Sequence, residues 1–451
     1  MLMTFQKYAG FFNGNSRTVA VKKNILISLL MKGVSIAVSF ALVPLTIGYV
    51  SPELYGVWLT LSSIMTGLSF MDIGFSQGLK NKLTEAIANN DWERGKQLVS
   101  TTYFMMLLIF VPLCIILEIL LPYVNWCSIL NIAPKYDADI MLAMQVVVLL
   151  ACTQMIVNVF SSVVAAFQKV SLTDIFLVIG NILSLVVIVI LTKCVPPSLV
   201  TLACSVAIMP IVVTCVASFI FYFGKFRSVA PNIFCVRKCL VADLLGLGYK
   251  FFIINVQVLV LYQSTNVLIS HVSSPLEVTN YNLAYRLMNF TMFGYTIITN
   301  PLWPAYTDAY TRGDYDWMKS IRKKMQKILL LSVGASVLMV LASKILYLIW
   351  IGDNVDVPFM MTSMVAVYVS VYCWMTLNGT LIVGMGKLYL ETVMVVIGML
   401  LHIPMSLLLG GYMGAYGVLI SLIIINLFYA VLMDIQVGKL LNKTATGLWN
   451  K

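Results

Sequence analysis

The sequence predicts an all-α polytopic membrane protein with twelve transmembrane helices arranged as two pseudo-symmetric six-helix lobes. Three observations carry this prediction. Of 451 residues, 60% are hydrophobic and only 10% charged, against roughly 25% charged in a soluble globular chain. The apolar residues gather into continuous runs close to the roughly 20 residues a helix needs to cross the hydrocarbon core. Between the runs, loops rich in Lys and Arg alternate with loops that nearly lack them. A soluble fold and a disordered chain are excluded, and runs that are continuous rather than alternating disfavour an outer-membrane barrel.

Taken in order, residues 1–24 form a tail that carries Lys7, Arg17, Lys22 and Lys23 but no apolar core of its own. The first run is therefore expected to be a retained span and not a cleaved signal. Runs at 25–50, 55–79, 98–121, 141–166, 175–195 and 199–222 compose a first lobe, 25–222. A basic linker, 223–250, leads to runs at 251–271, 279–302, 328–350, 359–384, 388–409 and 416–437, a second lobe spanning 251–437, followed by a tail at 438–451. With both termini on one side, that side holds 24 of the 29 Lys and Arg. The other side holds Lys135, Lys193 and Lys344, while Lys32 and Arg286 fall inside spans. The positive-inside rule then makes both termini cytoplasmic and accounts for the +11 charge without nucleic acid. Trp58, Trp126, Trp303 and Trp350 lie near run ends, as an interfacial aromatic belt requires.

The halves repeat. A shift of 223 residues aligns Pro52 with Pro275 and, without a gap, TEAIANNDWERGK (84–96) with TDAYTRGDYDWMK (307–319). Thr84, Ala86, Asp91 and Lys96 recur as Thr307, Ala309, Asp314 and Lys319. A shift of 218 lays Lys169 and the VIG of 178–180 over Lys387 and the VIG of 396–398. Because each half holds an even number of spans, the two share one topology and flank an expected cleft.

Polar side chains are costly against lipid, so a polar stripe at helical spacing marks a face turned to protein or water. In the first run Ser28, Lys32, Ser35, Ser39 and Thr46 share such a line, and in the second Ser62, Thr66, Ser69 and Ser76 do, with Asp72 at the edge. Asn255, Tyr262 and Asn266, with Gln263 beside them, mark the seventh run. The eighth is the strongest, with Asn282, Arg286, Asn289, Thr296 and Asn300 in line. Packing between helices accounts for most of the Ser and Thr, but poorly for an arginine among three asparagines. Lys32, Asn255, Gln263, Asn266, Asn282, Arg286 and Asn289 are therefore the expected substrate-binding residues, with Asp72 as an ion site or the charge partner of Lys32. A guanidinium stays charged and forks onto phosphate oxygens, so Arg286 is expected to hold an anion.

No catalytic, metal or cofactor site is expected. The nine cysteines are odd in number and mostly lie in apolar runs; Cys235 and Cys239 have no second ligand pair, and His271 and His402 stand alone. GMGK at 384–387 lacks the spacing and the following Ser or Thr of a P-loop.

The stretches KGVSIAVSFALVPLTIGYVSPELYGVWLTL (32–61), FMDIGFSQGLKNKLTEAIANND (70–91) and AFQK (166–169) resemble those of the Wzx-type O-antigen and polysaccharide flippases. These belong to the multidrug/oligosaccharidyl-lipid/polysaccharide (MOP) exporter superfamily, whose multidrug members (MATE) share the two-lobe architecture. The resemblance implies a bacterial inner-membrane protein that moves a polyprenyl-pyrophosphate-linked oligosaccharide by alternating access. It implies as partners that lipid-linked glycan, membrane lipids, and the polysaccharide polymerase and chain-length machinery. On this reading Lys32 and Arg286 neutralise the pyrophosphate, while the amides suit sugar hydroxyls. A cation-coupled exporter of small compounds and a non-transporting scaffold for glycan assembly are the alternative readings.

Overall fold

The computed structural model describes residues 16–69, 74–167, 169–245, 256, 259–299 and 302–450. Among these residues every regular element is helical. In chain order the helices are α1 (Ser16–Val50), α2 (Pro52–Ser69), α3 (Phe75–Ala88), α4 (Trp92–Leu120), α5 (Trp126–Leu130), α6 (Asp137–Val157), α7 (Val159–Ala166), α8 (Val170–Cys194) and α9 (Leu199–Phe223). They continue as α10 (Ser264–Val272), α11 (Pro275–Thr299), α12 (Leu302–Arg312), α13 (Tyr315–Leu341), α14 (Ser343–Ile351), α15 (Phe359–Met385), α16 (Tyr389–Met413) and α17 (Ala415–Leu441). Nine described helical segments are long and apolar enough to cross a membrane. Of the twelve expected runs, those at 55–79, 251–271 and 279–302 do not meet that standard within the described residues. α11 has the length but not the hydropathy, because Asn280, Asn282, Arg286 and Asn289 lie in it.

The chain divides into two compact units. The first takes the described residues of 1–50, 65–125 and 135–256; the second takes 51–64, 126–134 and 257–451. Within the first, α1 packs on α8, α8 on α9, α9 on α6 and α6 on α4. Within the second, α10 packs on α16, α16 on α17, α17 on α15 and α15 on α13, the same order of neighbours. Apolar side chains such as Leu107, Phe219, Leu331 and Leu400 are left exposed. That pattern suits helices whose solvent is lipid.

The repeat extends to individual hydrogen bonds. Asp91 caps α4 by accepting from Arg94 N at 3.0 Å, and Asp314 caps α13 by accepting from Trp317 N at 3.1 Å. The residues before these caps, Asn90 (φ 55°) and Gly313 (φ 73°), both adopt the left-handed conformation that reverses the chain. Ala86 and Ala309 carbonyls accept from Asp91 and Asp314 N, each at 2.9 Å. Ser51 and Ser274 cap α2 and α11 through Leu54 N and Glu277 N, each at 3.3 Å, with Pro52 and Pro275 at the first helical position, where a missing N–H costs nothing. Gly180 on α8 meets Pro210 on α9, and Gly398 on α16 meets Tyr429 on α17; a Cβ at either glycine would collide with the neighbour. Small residues here let paired helices approach closely, as in other membrane bundles.

Several expected boundaries shift for local reasons. The run 55–79 is read as α2, ending at Ser69, and a separate α3 that begins after Gly74 at φ 84°. The run 141–166 is divided at Asn158, whose Oδ1 accepts from Gln154 at 2.6 Å, and 328–350 is divided at Ala342. All nine cysteines are free thiols.

Candidate functional site

The second unit carries the larger share of the predicted polar residues, beginning with a π-helical turn at Leu259–Gln263 that runs into α10. Ser264 Oγ donates to Val260 O at 2.6 Å and Thr265 Oγ1 to Leu261 O at 3.1 Å. Hydroxyls that bond back onto carbonyls four residues earlier compete with the backbone ladder, and π turns of this kind recur at functional sites. The turn contains Tyr262 and Gln263, both half-buried. Tyr262 donates to Asn426 Oδ1 at 3.4 Å, and Asn426 Nδ2 in turn donates to Leu422 O at 2.8 Å.

Asn266 and Asn282 are joined. Asn282 Nδ2 donates to Asn266 Oδ1 and to Val278 O, both at 2.8 Å. Asn266 Nδ2 then donates to Ser63 Oγ at 2.5 Å and Leu59 O at 3.4 Å, so α10 and α11 are tied to α2 by amides. Along α11, Leu283, Ala284, Leu287 and Met288 are buried while Asn282, Arg286 and Asn289 are half-buried. The polar stripe therefore borders accessible space, and the apolar face packs on α13 and α15. Asn289 Oδ1 is buried and has no hydrogen-bond partner among the described residues, an uncommon state for a native amide.

A ladder of tyrosines runs beside this stripe. Ring centroids lie 6.0 Å apart for Tyr281 and Tyr285, 6.3 Å for Tyr285 and Tyr368, 6.3 Å for Tyr368 and Tyr372, and 6.1 Å for Tyr372 and Tyr262. Tyr281 and Tyr368 are buried; Tyr262, Tyr285 and Tyr372 are half-buried. Sequence reasoning missed this feature. Its signal was the pair of i, i+4 motifs YNLAY (281–285) and YVSVY (368–372), which place two rings on one face of each helix. Amides with half-exposed aromatic faces can take sugar hydroxyls and the apolar faces of sugar rings, and the guanidinium of Arg286 can take an anion.

Lys32 lies on α1 in the first unit and is exposed; on the same helix Ser35 Oγ accepts from Asn181 at 3.5 Å. Asp72 and Asn255 lie outside the described residues, as does Asn300. In the second unit the sequence also left unnoticed a 230 Å³ cavity lined by Trp303, Thr376, Thr380, Glu391 and Tyr429. Glu391 Oε2 is buried without a hydrogen-bond partner among the described residues. Arg322 and Asp434 form an ion pair at 2.7 Å, to which Trp374 Nε1 adds a bond at 3.4 Å. His402, alone in the sequence, sits buried with Nδ1 facing Ser421 Oγ at 3.2 Å and Ser406 Oγ at 3.4 Å, a packing role.

Residues 21–309 match the family described as Polysaccharide biosynthesis protein. No curated protein matches the chain. Among solved structures, an inward-facing multidrug resistance MATE family transporter of the MOP superfamily superposes with a TM-score of 0.76 at 13% identity, covering 91% of this chain and 96% of that one. An outward-facing structure of a MATE transporter gives 0.59 at 15% identity, covering 96% and 98%. A further MATE structure, in a straight conformation, gives 0.60 at 14% identity over 94% and 97%. The fold is that of the two-lobe MATE-like transporters.

Proposed function

The chain belongs to the polysaccharide biosynthesis protein family, and from that membership we propose that it is a flippase for a polyprenyl-pyrophosphate-linked oligosaccharide, such as an O-antigen repeat unit. It works by alternating access in the bacterial inner membrane, with both termini in the cytoplasm, where the positive-inside rule puts the 24 basic residues. The observation that carries the reading is the make-up of α11 and its neighbours: Arg286, half-buried in a helix too polar to qualify as an ordinary span, shares its stripe with Asn282 and Asn289 and is next in sequence to Tyr285, from which the ring ladder runs on through Tyr368 to the half-exposed Tyr372. A pyrophosphate brought into a low-dielectric region needs a cationic partner, since a lone charge there costs several kcal/mol or more. Arg286 supplies it, Lys32 supplies another at the cytoplasmic side, and Asp72 tunes or neutralises Lys32. Gln263 and Asn289, together with Asn255, Asn266 and Asn282, meet sugar hydroxyls, while the polyprenyl tail stays in lipid. The exporter alternative is the weaker one, because this lining suits an anionic, hydroxylated cargo.

Reconstitution tests the proposal. Purified protein in liposomes that carry a lipid-linked oligosaccharide on both leaflets should expose the inner pool to a membrane-impermeant glycosidase, whereas protein-free liposomes should protect about half. An inner pool that stays protected at full protein incorporation, with neither an ion gradient nor a membrane potential releasing it, would overturn the assignment.

A further inference from the structure

We infer that a second cavity, at the basic end of the first unit, binds the phosphate headgroup of an anionic glycerophospholipid. This cavity, of 720 Å³, lies between the start of α4, the end of α9 and the segment after it, and is lined by Lys96, Tyr103, Tyr222, Arg227 and Asn232. Among the described residues neither Lys96 nor Arg227 takes part in an ion pair. Nearby in sequence, Arg94 faces Asp243 at 3.9 Å, and Glu93, which accepts from Gln97 at 3.4 Å, forms no ion pair with Lys96. Two cations on one cavity call for a counter-anion.

The neutral groups present donors too. Tyr103 and Tyr222 share one hydrogen bond at 3.2 Å, which uses one hydroxyl hydrogen and leaves the other to donate. Asn232 Oδ1 already accepts from Phe234 N at 3.0 Å, so its NH2 is what remains to offer. Phe160, packed edge-on to Tyr222 at 5.4 Å between centroids, holds that ring in place. The segment itself is pinned to α4, with Asn232 N on Ser100 Oγ and Arg237 N on Thr101 Oγ1, each at 3.0 Å. A set of two cations, a phenol and an amide, all donating, fits phosphate oxygens.

The surroundings supply the rest of a lipid. Val216, Phe219, Ile220 and Phe223 fall on one exposed face of α9, with Phe219 and Phe223 lining the cavity, and Ile233 and Phe234, next in sequence to the lining residue Asn232, are exposed at 73% and 87%. Exposed apolar surface adjoining a cationic cavity suits a lipid whose headgroup enters the cavity while its acyl chains stay outside it. Lys225, Arg237 and Lys238 add exposed charge that draws anionic lipid to this interface. The site stands apart from the cargo assignment, since it uses none of the residues given to glycan transport.

Native mass spectrometry of the full chain, titrated with dioleoylphosphatidylglycerol, tests it. Wild type should bind this lipid at least about tenfold more tightly than dioleoylphosphatidylcholine, and the K96Q/R227Q variant should lose at least about tenfold, the scale expected for two interfacial cations. The variant's thermal unfolding in phosphatidylcholine should match wild type, and Arg227→Gln alone, at an exposed position, should give an intermediate loss. Equal phosphatidylglycerol affinity in wild type and the double variant would overturn the site. Displacement by inorganic phosphate as effective as by lipid would overturn the lipid assignment, and tighter binding of a polyprenyl phosphate would overturn the glycerophospholipid as occupant.

Discussion

Asn282 donates to Asn266 across 2.8 Å, and this one bond spans α10 and α11 within the second unit. Its chemistry is that of a fixed pair: the Asn266 amide passes the link on to Ser63, so each donor is used and both side chains are oriented. A pair held in this way presents fewer free hydrogens to a ligand than two loose asparagines, but it presents its remaining lone pairs in a set direction.

Replacing Asn282 with Leu strands Asn266 Oδ1 and should lower stability by about 1 kcal/mol, the usual scale for an interhelical hydrogen bond in a membrane. The Asn266→Leu/Asn282→Leu double variant should recover most of that loss, because no buried partner is then left unpaired. Thermal unfolding of the purified proteins reads this. Glycan export should fail in the single and the double variant alike if the pair also meets cargo; recovered export in the double variant would reduce the pair to a structural clamp.

The repeated caps make a symmetrical prediction. Asp91→Ala and Asp314→Ala each remove a hydrogen bond to a helix N-terminus and should each cost about 1 kcal/mol. At the preceding residue the halves differ: Gly313→Ala forces a Cβ into the left-handed region and should cost about 1 kcal/mol, whereas Asn90→Gly should be close to neutral. Unfolding midpoints that move for one half only would show that the matching geometry is not matched in energy.

Which parts of this were legible in the sequence follows from what each part depends on. Long apolar runs depend only on composition, so α4, α8, α9, α16 and α17 stood out, and the alignment of Asp91 with Asp314 marked a repeat, though not that both residues cap helices. The stripe of Asn282, Arg286 and Asn289 was readable because helical periodicity alone puts the three on one line. Beside the π turn at Leu259–Gln263 the Ser264 and Thr265 hydroxyls bond to carbonyls four residues earlier, and at Asn158 the amide oxygen bonds the Gln154 side chain; no glycine or proline announces either break. The tyrosine ladder needed knowledge that α11 faces α15, and Glu391 that a cavity surrounds it. Both are facts of tertiary packing.

Orientation can be read from the native cysteines. Cys194, at the end of α8, and Cys239, in the basic segment that follows α9, are both exposed. The proposed topology, which rests on the split of basic residues, has them on opposite sides of the membrane. In intact cells a membrane-impermeant maleimide should modify Cys194 and spare Cys239, and permeabilised cells should lose the distinction. Modification of Cys239 before permeabilisation would reverse the proposed topology.

Arg286 is the residue on which the cargo assignment can be tested most directly. It sits half-buried on the stripe with Asn282 and Asn289, next in sequence to Tyr285 of the tyrosine ladder, and its charge persists at any physiological pH. Arg286→Ala should abolish surface glycan while the protein remains in the membrane at normal abundance. Arg286→Lys should restore export only in part, because an ammonium offers a point charge where a guanidinium offers a planar fork to two oxygens. Stability separates the roles: a ligand for cargo predicts that Arg286→Ala unfolds within about 1 kcal/mol of wild type, whereas a buried ion pair broken by the same change costs about 3–5 kcal/mol. Full export by Arg286→Ala at normal abundance would remove this residue from the site and leave Lys32 as the cation to examine.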